Sequence, residues 1–314
     1  MRTCIILNEH AGTAHQSSDL LNAISASDEM EHRVSTSAGA GRTLAREAAE
    51  NGFECVAAAG GDGTINEVLN GIMESGNSDV RLGIIPLGTG NDLARTLRVP
   101  LEPRDALALI ANESFHTIDL FTANAEDETR YVINASAGGF SGQVDEILTE
   151  EMKRDWGPLA FLAGAAQTLP DLKDFDTQIV LDGEPLEASS LVNVIVANGR
   201  TVAGGKRVAP KANPSDGLLD VVLVKWCTLI ELAEVGARLL AGDYLESEHV
   251  IFRRAREVKV RSNPGMWFNL DGELFTNKPI TFTVKPGAID VSCGEDFLPE
   301  PGESRLKQLF NRKR

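Results

Sequence analysis

The chain has 314 residues, of which 42% are hydrophobic and 24% charged, enough to build two domains with sizeable cores. Its formal net charge of −16 argues against nucleic acid as a partner, because the phosphate backbone would be repelled. No apolar run of about 18 residues and no signal peptide are found, so the sequence predicts a cytoplasmic protein.

The first 118 residues alternate between strand-like and helix-like segments. Strand-like runs are predicted at 3–7, 32–36, 54–59 and 82–87, of which 54–59 and 82–87 are apolar and predicted to be buried. Apolar residues three and four apart predict helices at 16–26, 40–50, 65–75, 91–98 and 103–112. This alternation is typical of a parallel sheet covered by helices, so residues 1–118 are predicted to form a Rossmann-like α/β domain.

From residue 119 onward strand patterns dominate, which predicts a β-rich second domain over 119–294. The predicted strands are 117–121, 130–135, 176–181, 190–197, 218–224, 248–252, 256–261, 266–270, 279–284 and 288–292. Two helices interrupt them, one opened by Pro158 and one at 228–241.

A glycine-rich loop follows the third predicted strand and reads Gly60-Gly61-Asp62-Gly63-Thr64. Its backbone N–H groups can approach an anion closely, and the following helix adds its positive dipole end. The Asp62 carboxylate would repel that anion unless a cation lay between them, so the residues favour a nucleotide–magnesium site. The alternative is structural, since Thr64 and Glu67 also fit a capping box that merely starts the helix.

A second loop of the same design, Gly88-Thr89-Gly90-Asn91-Asp92, lies between the fourth predicted strand and a helix. In one parallel sheet the two loops would share the edge where ligands of open α/β sheets bind. Neither a P-loop nor a complete dinucleotide fingerprint is present. The four cysteines and five histidines show no ligand spacing, so zinc binding, thiol catalysis and disulfides are not predicted.

Together GGDGTINEVLNGI (60–72) and IIPLGTGNDLAR (84–95) resemble the catalytic domain of the diacylglycerol kinase and sphingosine kinase superfamily, above all its bacterial lipid kinases. The resemblance continues through IDL (118–120), NASAGGF (134–140), NPSDGLLD (213–220) and NLDGE (269–273), and so covers most of the chain. It implies an NAD-kinase-like first domain, a sandwich-like second domain and an active site in the cleft between them. It also implies that residues 295–314 rejoin the first domain.

The resemblance further implies ATP as the phosphate donor. The residues implied to bind it are Asn8, Gly12, Thr36, Gly60, Gly61, Asp62, Gly63, Thr64, Ile65, Asn66, Gly88 and Thr89. The first loop departs from the family pattern, because Glu9 stands where Pro is usual and Thr13 follows the glycine. Contacts by the side chains between Asn8 and Gly12 therefore stay open.

The catalytic residues are implied in the same way. Asp62 and Asp92 would hold a catalytic Mg²⁺, with Asp119 and Asp271 in the same carboxylate network, and Glu273 would accept the proton of the lipid hydroxyl. Such a set suits phosphoryl transfer, which depends on positioning and charge neutralisation. The residues alone leave another interpretation, in which Asp271-Gly272 makes a tight turn and Glu273 is a solvated edge residue.

A second, structural Mg²⁺ is implied at the turn in NPSDGLLD. Its ligands would be Asp216 and the backbone oxygens of Asn213 and Leu218. The alternative is an Asx-turn that is stabilised by its own backbone.

The predicted activity is therefore the ATP- and Mg²⁺-dependent phosphorylation of a lipid hydroxyl, with diacylglycerol or a related glycerolipid as the acceptor. Two alternatives stay open: an NAD kinase, which shares GGDGT, and a protein that binds nucleotide or lipid without catalysing transfer. The oligomeric state, a homodimer included, is also open.

The segment from Ser304 to Arg314 differs from the rest of this acidic chain. It carries five basic residues, no acidic residue and three apolar residues on one helical face, which suits a membrane interface. This pattern predicts peripheral attachment to the inner face of the membrane, where the lipid substrate lies. The alternative is a tail whose apolar residues dock on the first domain.

Overall fold

The computed structural model of the chain describes residues 1–11, 17–126, 128–139, 174–187 and 190–299. Its first part is a parallel sheet in the order β4-β3-β1-β2. These strands are β1 (Thr3–Asn8), β2 (Met30–Ser35), β3 (Cys55–Gly60) and β4 (Arg81–Pro86). The helices are α1 (Ser17–Ser25), α2 (Ala40–Glu50), α3 (Asp62–Glu74), α4 (Asp92–Thr96) and α5 (Pro103–Ala111). The predicted α/β class is confirmed.

Strands β1, β3 and β4 of the parallel sheet are buried on both faces, as their continuous apolar runs predict, whereas the edge strand β2 is largely exposed. Alternate residues of one strand enter two different cores because successive side chains point to opposite faces. In β1, Cys4 and Ile6 pack on the side of α2 and α3, while Ile5 and Leu7 pack on the side of α1. The helices therefore cover both faces and leave the strand ends for the loops.

The second part is β-rich, which confirms the predicted class of this region. Its strands are β5 (Phe115–Ala125), β6 (Glu128–Val132), β7 (Ala135–Gly139), β8 (Phe175–Leu181), β9 (Glu184–Leu186), β10 (Ser190–Ala197), β11 (Leu219–Lys225), β12 (Val250–Ala255), β13 (Glu257–Asn263), β14 (Phe268–Leu270), β15 (Glu273–Thr276) and β16 (Ile280–Ser292). The α-helix α6 (Leu229–Ala241) begins with a capping box of Thr228 and Glu231. The predicted helix at Pro158 lies outside the described residues.

Strand β16 joins the two parts of the molecule. It pairs antiparallel with β5, and near its end Val291 pairs parallel with Leu82 of β4. The side chains of Ile289, Val291 and Phe297 belong to the same core as α3. The strands predicted at 279–284 and 288–292 are one strand, whose pairing is interrupted between Lys285 and Ile289. The domain limits at 118 and 294, and the return of 295–314, stay predictions.

Helix α3 begins at Asp62, three residues before its predicted start, with Gly61 as its N-cap residue. The predicted capping box is wrong, because Glu67 lies beyond the first turn. Its carboxylate accepts N–H groups from Gly39 at 2.8 Å and Gly41 at 2.9 Å, at the start of α2. Within the described ranges, none of the helices has the length and apolar character needed to cross a bilayer.

Candidate active site

The candidate site lies at the carboxyl ends of the neighbouring parallel strands β1 and β3. The chain continues from β1 to β2 on one side of this pair and from β3 to β4 on the other side. A crevice opens at such a change of strand order. Asn8, the last residue of β1, donates from Nδ2 to Thr64 Oγ1 at 3.0 Å. Its Oδ1 accepts the His10 N–H at 3.0 Å. These bonds tie the first loop to the first turn of α3.

The two glycine loops lie against each other, as their common design predicts. A Cβ atom on Gly88 would come within 2.5 Å of the Gly61 Cα, so a side chain there would push the loops apart. The Leu87 N–H donates to Gly60 O at 2.9 Å. Asn91 binds the N–H and C=O of Gly88 with its side-chain amide. The two loop backbones therefore form one continuous edge.

Asp62 and Asp92 connect these loops to each other and to the second part of the chain. Asp62 accepts the N–H groups of Asp92 and Leu93, each at 3.2 Å. Asp92 in turn accepts the N–H of Gly204 at 2.9 Å and that of Gly205 at 2.6 Å. Hydrogen bonds to charged groups contribute about 1.5–3 kcal/mol each, so both carboxylates are held firmly in place.

The two carboxylates repel each other. Burial, followed by the charge of Asp92, raises the pKa of Asp62 from 3.8 to about 6. Burial also raises the pKa of Asp92, against the two glycine N–H groups that lower it. A Cβ atom on Gly90 would lie 3.1 Å from Asp62 Oδ2 and 3.3 Å from Asp92 Oδ2. The space beside Gly90 is therefore bordered by hard oxygen donors that suit a divalent cation.

Asp271 is a centre of hydrogen bonds between the two parts of the molecule. Its Oδ2 accepts Asn66 Nδ2 at 2.9 Å and the Ile133 N–H at 3.2 Å. Its Oδ1 accepts the N–H groups of Asn134 at 3.0 Å and Ala135 at 2.9 Å. Burial raises the pKa of this carboxyl, and these donors oppose that shift. In this structure Asp271 positions α3 against the start of β7.

Glu273 follows a tight turn between β14 and β15, which confirms that interpretation of the Asp-Gly pair. Asp271 and Gly272 both have positive φ, 49° and 88°, as a two-residue hairpin turn requires. Glu273 is exposed at the start of β15, which is an edge strand of the sheet. Even so, a Cβ on Gly63 would lie 3.7 Å from Glu273 Oε1. The edge position therefore places the carboxylate beside the start of α3.

The other residues predicted to bind the nucleotide differ from one another in their burial and their place in the fold. Thr36 follows β2 and Thr89 lies in the second loop, both exposed. The Ile65 side chain is buried in the core and its N–H donates to Gly61 O at 3.1 Å, so in this structure it contributes to packing. Gly12 lies outside the described residues. The nucleotide contacts of all these residues stay predictions.

Asp119 is held by backbone groups of two other segments. The resemblance predicts it among the carboxylates of the catalytic cation, and in this structure its two oxygens accept the N–H groups of Gly217 and Gly287, each at 2.7 Å. Its own N–H donates to Pro214 O at 2.7 Å. Asp119 therefore holds the turn in NPSDGLLD against β16, and the short motif around it could not reveal these distant partners.

That turn has the hydrogen bonds of the Asx-turn alternative. Asn213 Oδ1 accepts the Ser215 N–H, and Asp216 Oδ1 accepts the Leu218 N–H, each at 3.0 Å. Asp216 Oδ2 also lies 3.6 Å from Arg254 Nη1. A cation bound by Asn213, Asp216 and Leu218 would share Asp216 with this guanidinium group, and the second metal site stays a prediction.

Two groups of residues in this structure are not predicted from the sequence. The Gly204-Gly205 pair that holds Asp92 carries a weak local signal, two adjacent glycines far from any recognised motif. Cys227, Glu231 and His249 place three potential metal-ligating atoms within 4.8 Å of one another. Spacing could not reveal this group because His249 comes from another element. Glu231 already serves the start of α6, where its carboxylate accepts the Thr228 N–H at 2.7 Å.

Comparison with known proteins agrees with this architecture. The family described as the diacylglycerol kinase catalytic domain matches residues 2–123. The family described as the YegS C-terminal NAD kinase beta sandwich-like domain matches residues 134–293. The first match ends at residue 123 and the second begins at residue 134, and together they span nearly all of the described residues.

Curated relatives share both parts. The diacylglycerol kinase of Bacillus subtilis (strain 168) is 33% identical over 241 residues, which are 76% of this chain and 78% of the relative. That of Staphylococcus aureus (strain Newman) is 31% identical over 256 residues, 82% of this chain and 79% of the relative. A crystal structure of a diacylglycerol kinase from Bacillus anthracis str. Sterne superposes with a TM-score of 0.75 at 22% identity, covering 95% of this chain and 98% of that one.

Proposed function

The chain belongs to the diacylglycerol kinase family and is a kinase, and from this premise we propose that it transfers the γ-phosphate of ATP to a glycerolipid hydroxyl, with diacylglycerol as the first candidate. The observation that carries the proposal is the convergence of three carboxylates on the two glycine loops. Asp62 and Asp92 are joined through backbone bonds, and Glu273 lies beside Gly63. A binder without catalysis has no need of this third carboxylate.

The nucleotide phosphates would lie along the edge formed by the two loops. Gly60 to Asn66 offer a backbone without bulky side chains at its start, followed by a helix of 13 residues whose N-terminus favours negative charge. Asn8 and Thr64 fix the neighbouring loop by their side-chain bond. This arrangement supports ATP as the donor, with Thr36, Thr89 and Gly88 along the same strand ends.

Mg²⁺ fits the space beside Gly90, where Asp62 and Asp92 would hold it. When bound, the cation neutralises the charge of the phosphate oxygens and of the two carboxylates. The chain itself supports this role, because its backbone N–H groups hold both carboxylates in position without neutralising them. A second Mg²⁺ at Asn213, Asp216 and Leu218 belongs to the same proposal.

Glu273 acts as the general base. Its carboxylate accepts the proton of the lipid hydroxyl while the hydroxyl oxygen bonds to the γ-phosphorus. The bond from that phosphorus to the β,γ-bridging oxygen breaks, and ADP leaves with the electron pair. Asp271 positions the hairpin turn that carries Glu273, through its bonds to residues 133–135. A base in this position accounts for roughly 10²–10⁴ in rate.

Replacing Glu273 by Gln tests this assignment, with Glu184→Gln at an exposed strand position as the matched control. The kcat of Glu273→Gln should fall by roughly 10²–10⁴ with ATP affinity changed less than about twofold. The control should keep its kcat. Unchanged turnover in Glu273→Gln would remove this residue from the mechanism, and loss of ATP affinity would make its role structural.

The lipid substrate places the proposed reaction at a membrane surface, to which the 304–314 segment would attach peripherally. This segment lies outside the described residues, and its support is its basic and apolar pattern. Deletion of 304–314 should lower activity on anionic vesicles much more than activity on detergent-solubilised lipid. Equal losses on both substrates would contradict membrane attachment.

A further inference from the structure

A cavity of about 490 Å³ lies behind the second glycine loop, between residues 95–101 and 200–210. Four arginines line it, Arg95, Arg98, Arg200 and Arg207, and no Asp or Glu is among its lining residues. We refer to this cavity as the arginine pocket. Its charge contrasts with that of the whole chain, which carries a formal net charge of −16.

Two of the four guanidinium groups are fixed by backbone carbonyls. Arg95 Nε donates to Gly90 O at 3.0 Å, and Arg200 Nε donates to Ala212 O at 2.9 Å. Carbonyl oxygens orient these groups without neutralising their charge. In the part of the chain that the structure describes, Arg98 and Arg207 have no carboxylate partner. Among the described residues, Arg98 and Arg207 therefore keep their charges unpaired, whereas Arg95 interacts with the carboxylate of Asp92 and Arg200 with that of Asp220.

This concentration of charge is unfavourable without an anion. Burial, followed by the charges of Arg98 and Arg207, lowers the pKa of Arg200 against the opposing charge of Asp220, so both of these arginines repel Arg200. None of the acidic residues in the described part of the chain lines the pocket. An external anion would remove the repulsion, and planar guanidinium groups match the oxygens of a phosphate particularly well.

The pocket also adjoins the candidate active site. Gly204 and Gly205 are part of its wall, and their N–H groups hold the carboxylate of Asp92. Arg95 belongs to the helix that Asp92 begins. A group bound in the pocket would thus be separated from the Asp92 carboxylate by the Gly204-Gly205 segment.

We propose that the arginine pocket binds a phosphate group, either the phosphate of a lipid headgroup or free phosphate, beside the active site. The volume of the cavity lies within the range of small-ligand sites, roughly 300–1,000 Å³, and exceeds what one phosphate fills. A neutral glycerolipid offers ester and hydroxyl oxygens but no negative charge to balance these arginines. The proposal concerns binding alone and does not depend on phosphoryl transfer.

Calorimetric titration of the full chain tests the proposal, in EDTA and without nucleotide so that no metal retains phosphate elsewhere. The probes are sodium phosphate, dihexanoyl phosphatidic acid and, as the neutral match, dihexanoylglycerol. The test variant is Arg98→Gln/Arg207→Gln. Its control, Arg256→Gln/Arg261→Gln, changes net charge equally at two exposed arginines outside the pocket. Asp62→Asn tests whether the phosphate probes bind near the catalytic carboxylates instead of in the arginine pocket.

We expect both phosphate probes to bind and the neutral lipid not to bind at the pocket. The test variant should lose about tenfold in affinity or more for each phosphate probe, while the control and Asp62→Asn stay within about twofold. Tighter binding of the lipid phosphate than of sodium phosphate identifies a headgroup, and equal affinities identify free phosphate. No binding to wild type, or equal binding to the test variant, overturns the proposal. A kinase-inactive chain that still binds phosphate would refute only the proposed function.

Discussion

Asp62 and Asp92 are held mainly by backbone N–H groups, whereas Asp216 and Asp220 share the guanidinium group of Arg254. Arg254 lies 3.6 Å from Asp216 and 3.0 Å from Asp220. Backbone donors fix the position of a carboxylate but leave its charge, so the first pair still needs a cation. The second pair already has one. Two acidic sites on the same chain thus differ in whether the protein supplies its own counter-ion.

The largest effect expected from this difference is on catalysis. Asp62→Asn keeps the size of the side chain but removes the charge that would bind the cation, so phosphate transfer should fall by roughly 10²–10³. Steady-state kinetics with ATP and Mg²⁺ measure this. Asp28→Asn, an exposed position far from the site, is the control. A comparable loss in Asp28→Asn, or none in Asp62→Asn, would contradict the role of the Asp62 charge in binding the cation.

The second effect is on stability as a function of pH. Because the pKa of Asp62 is raised from 3.8 to about 6 in the folded chain, its contribution is fully present below pH 3.8 and is lost as the pH rises through 6. Relative to Asp62→Asn, wild type should therefore lose up to about 3 kcal/mol of unfolding free energy between pH 4 and 7. Urea titrations at both pH values measure this difference, and Mg²⁺ should reduce it.

The smallest expected effect concerns the second pair. Arg254→Met leaves the buried Asp220 without its counter-ion and should lower the unfolding free energy by about 2 kcal/mol at pH 7.5. Burial raises the pKa of Asp220 to about 6, so the loss should shrink at pH 5, where the carboxyl is protonated. Arg256→Met is the exposed control. An equal loss at both pH values would mean that Arg254 acts through packing.

Local sequence patterns predict the strands and loops whose structure depends on residues close together in the sequence. The strands β3 and β4, the two glycine loops and their common edge follow from apolar runs and from glycines at strand ends. The β-rich second part followed from repeated strand patterns, although the short strand β9 (Glu184–Leu186) gave no distinct signal. Pro286 and Gly287 made one long strand look like two, since both residues interrupt a strand pattern.

What the sequence could not give was the identity of distant partners. Asp119 has the residue type of a metal ligand, but the N–H groups that hold it come from residues 217 and 287. Glu67 has the spacing of a capping residue, yet its partners lie at the start of α2. Gly204 and Gly205 reach Asp92 across more than a hundred residues. Such contacts depend on how segments far apart in the sequence pack together, which no short motif encodes.

Transfer of labelled phosphate from ATP to a lipid is the decisive measurement for the proposed activity. The chain would be incubated with Mg²⁺, labelled ATP and a panel of micellar lipids that includes diacylglycerol, with NAD as a competing acceptor. We predict a labelled lipid, formed by wild type and lost in Asp62→Asn and Glu273→Gln. Label on NAD alone, or no labelled product although ATP binds, would contradict the assignment of Asp62, Asp92 and Glu273 to lipid phosphorylation.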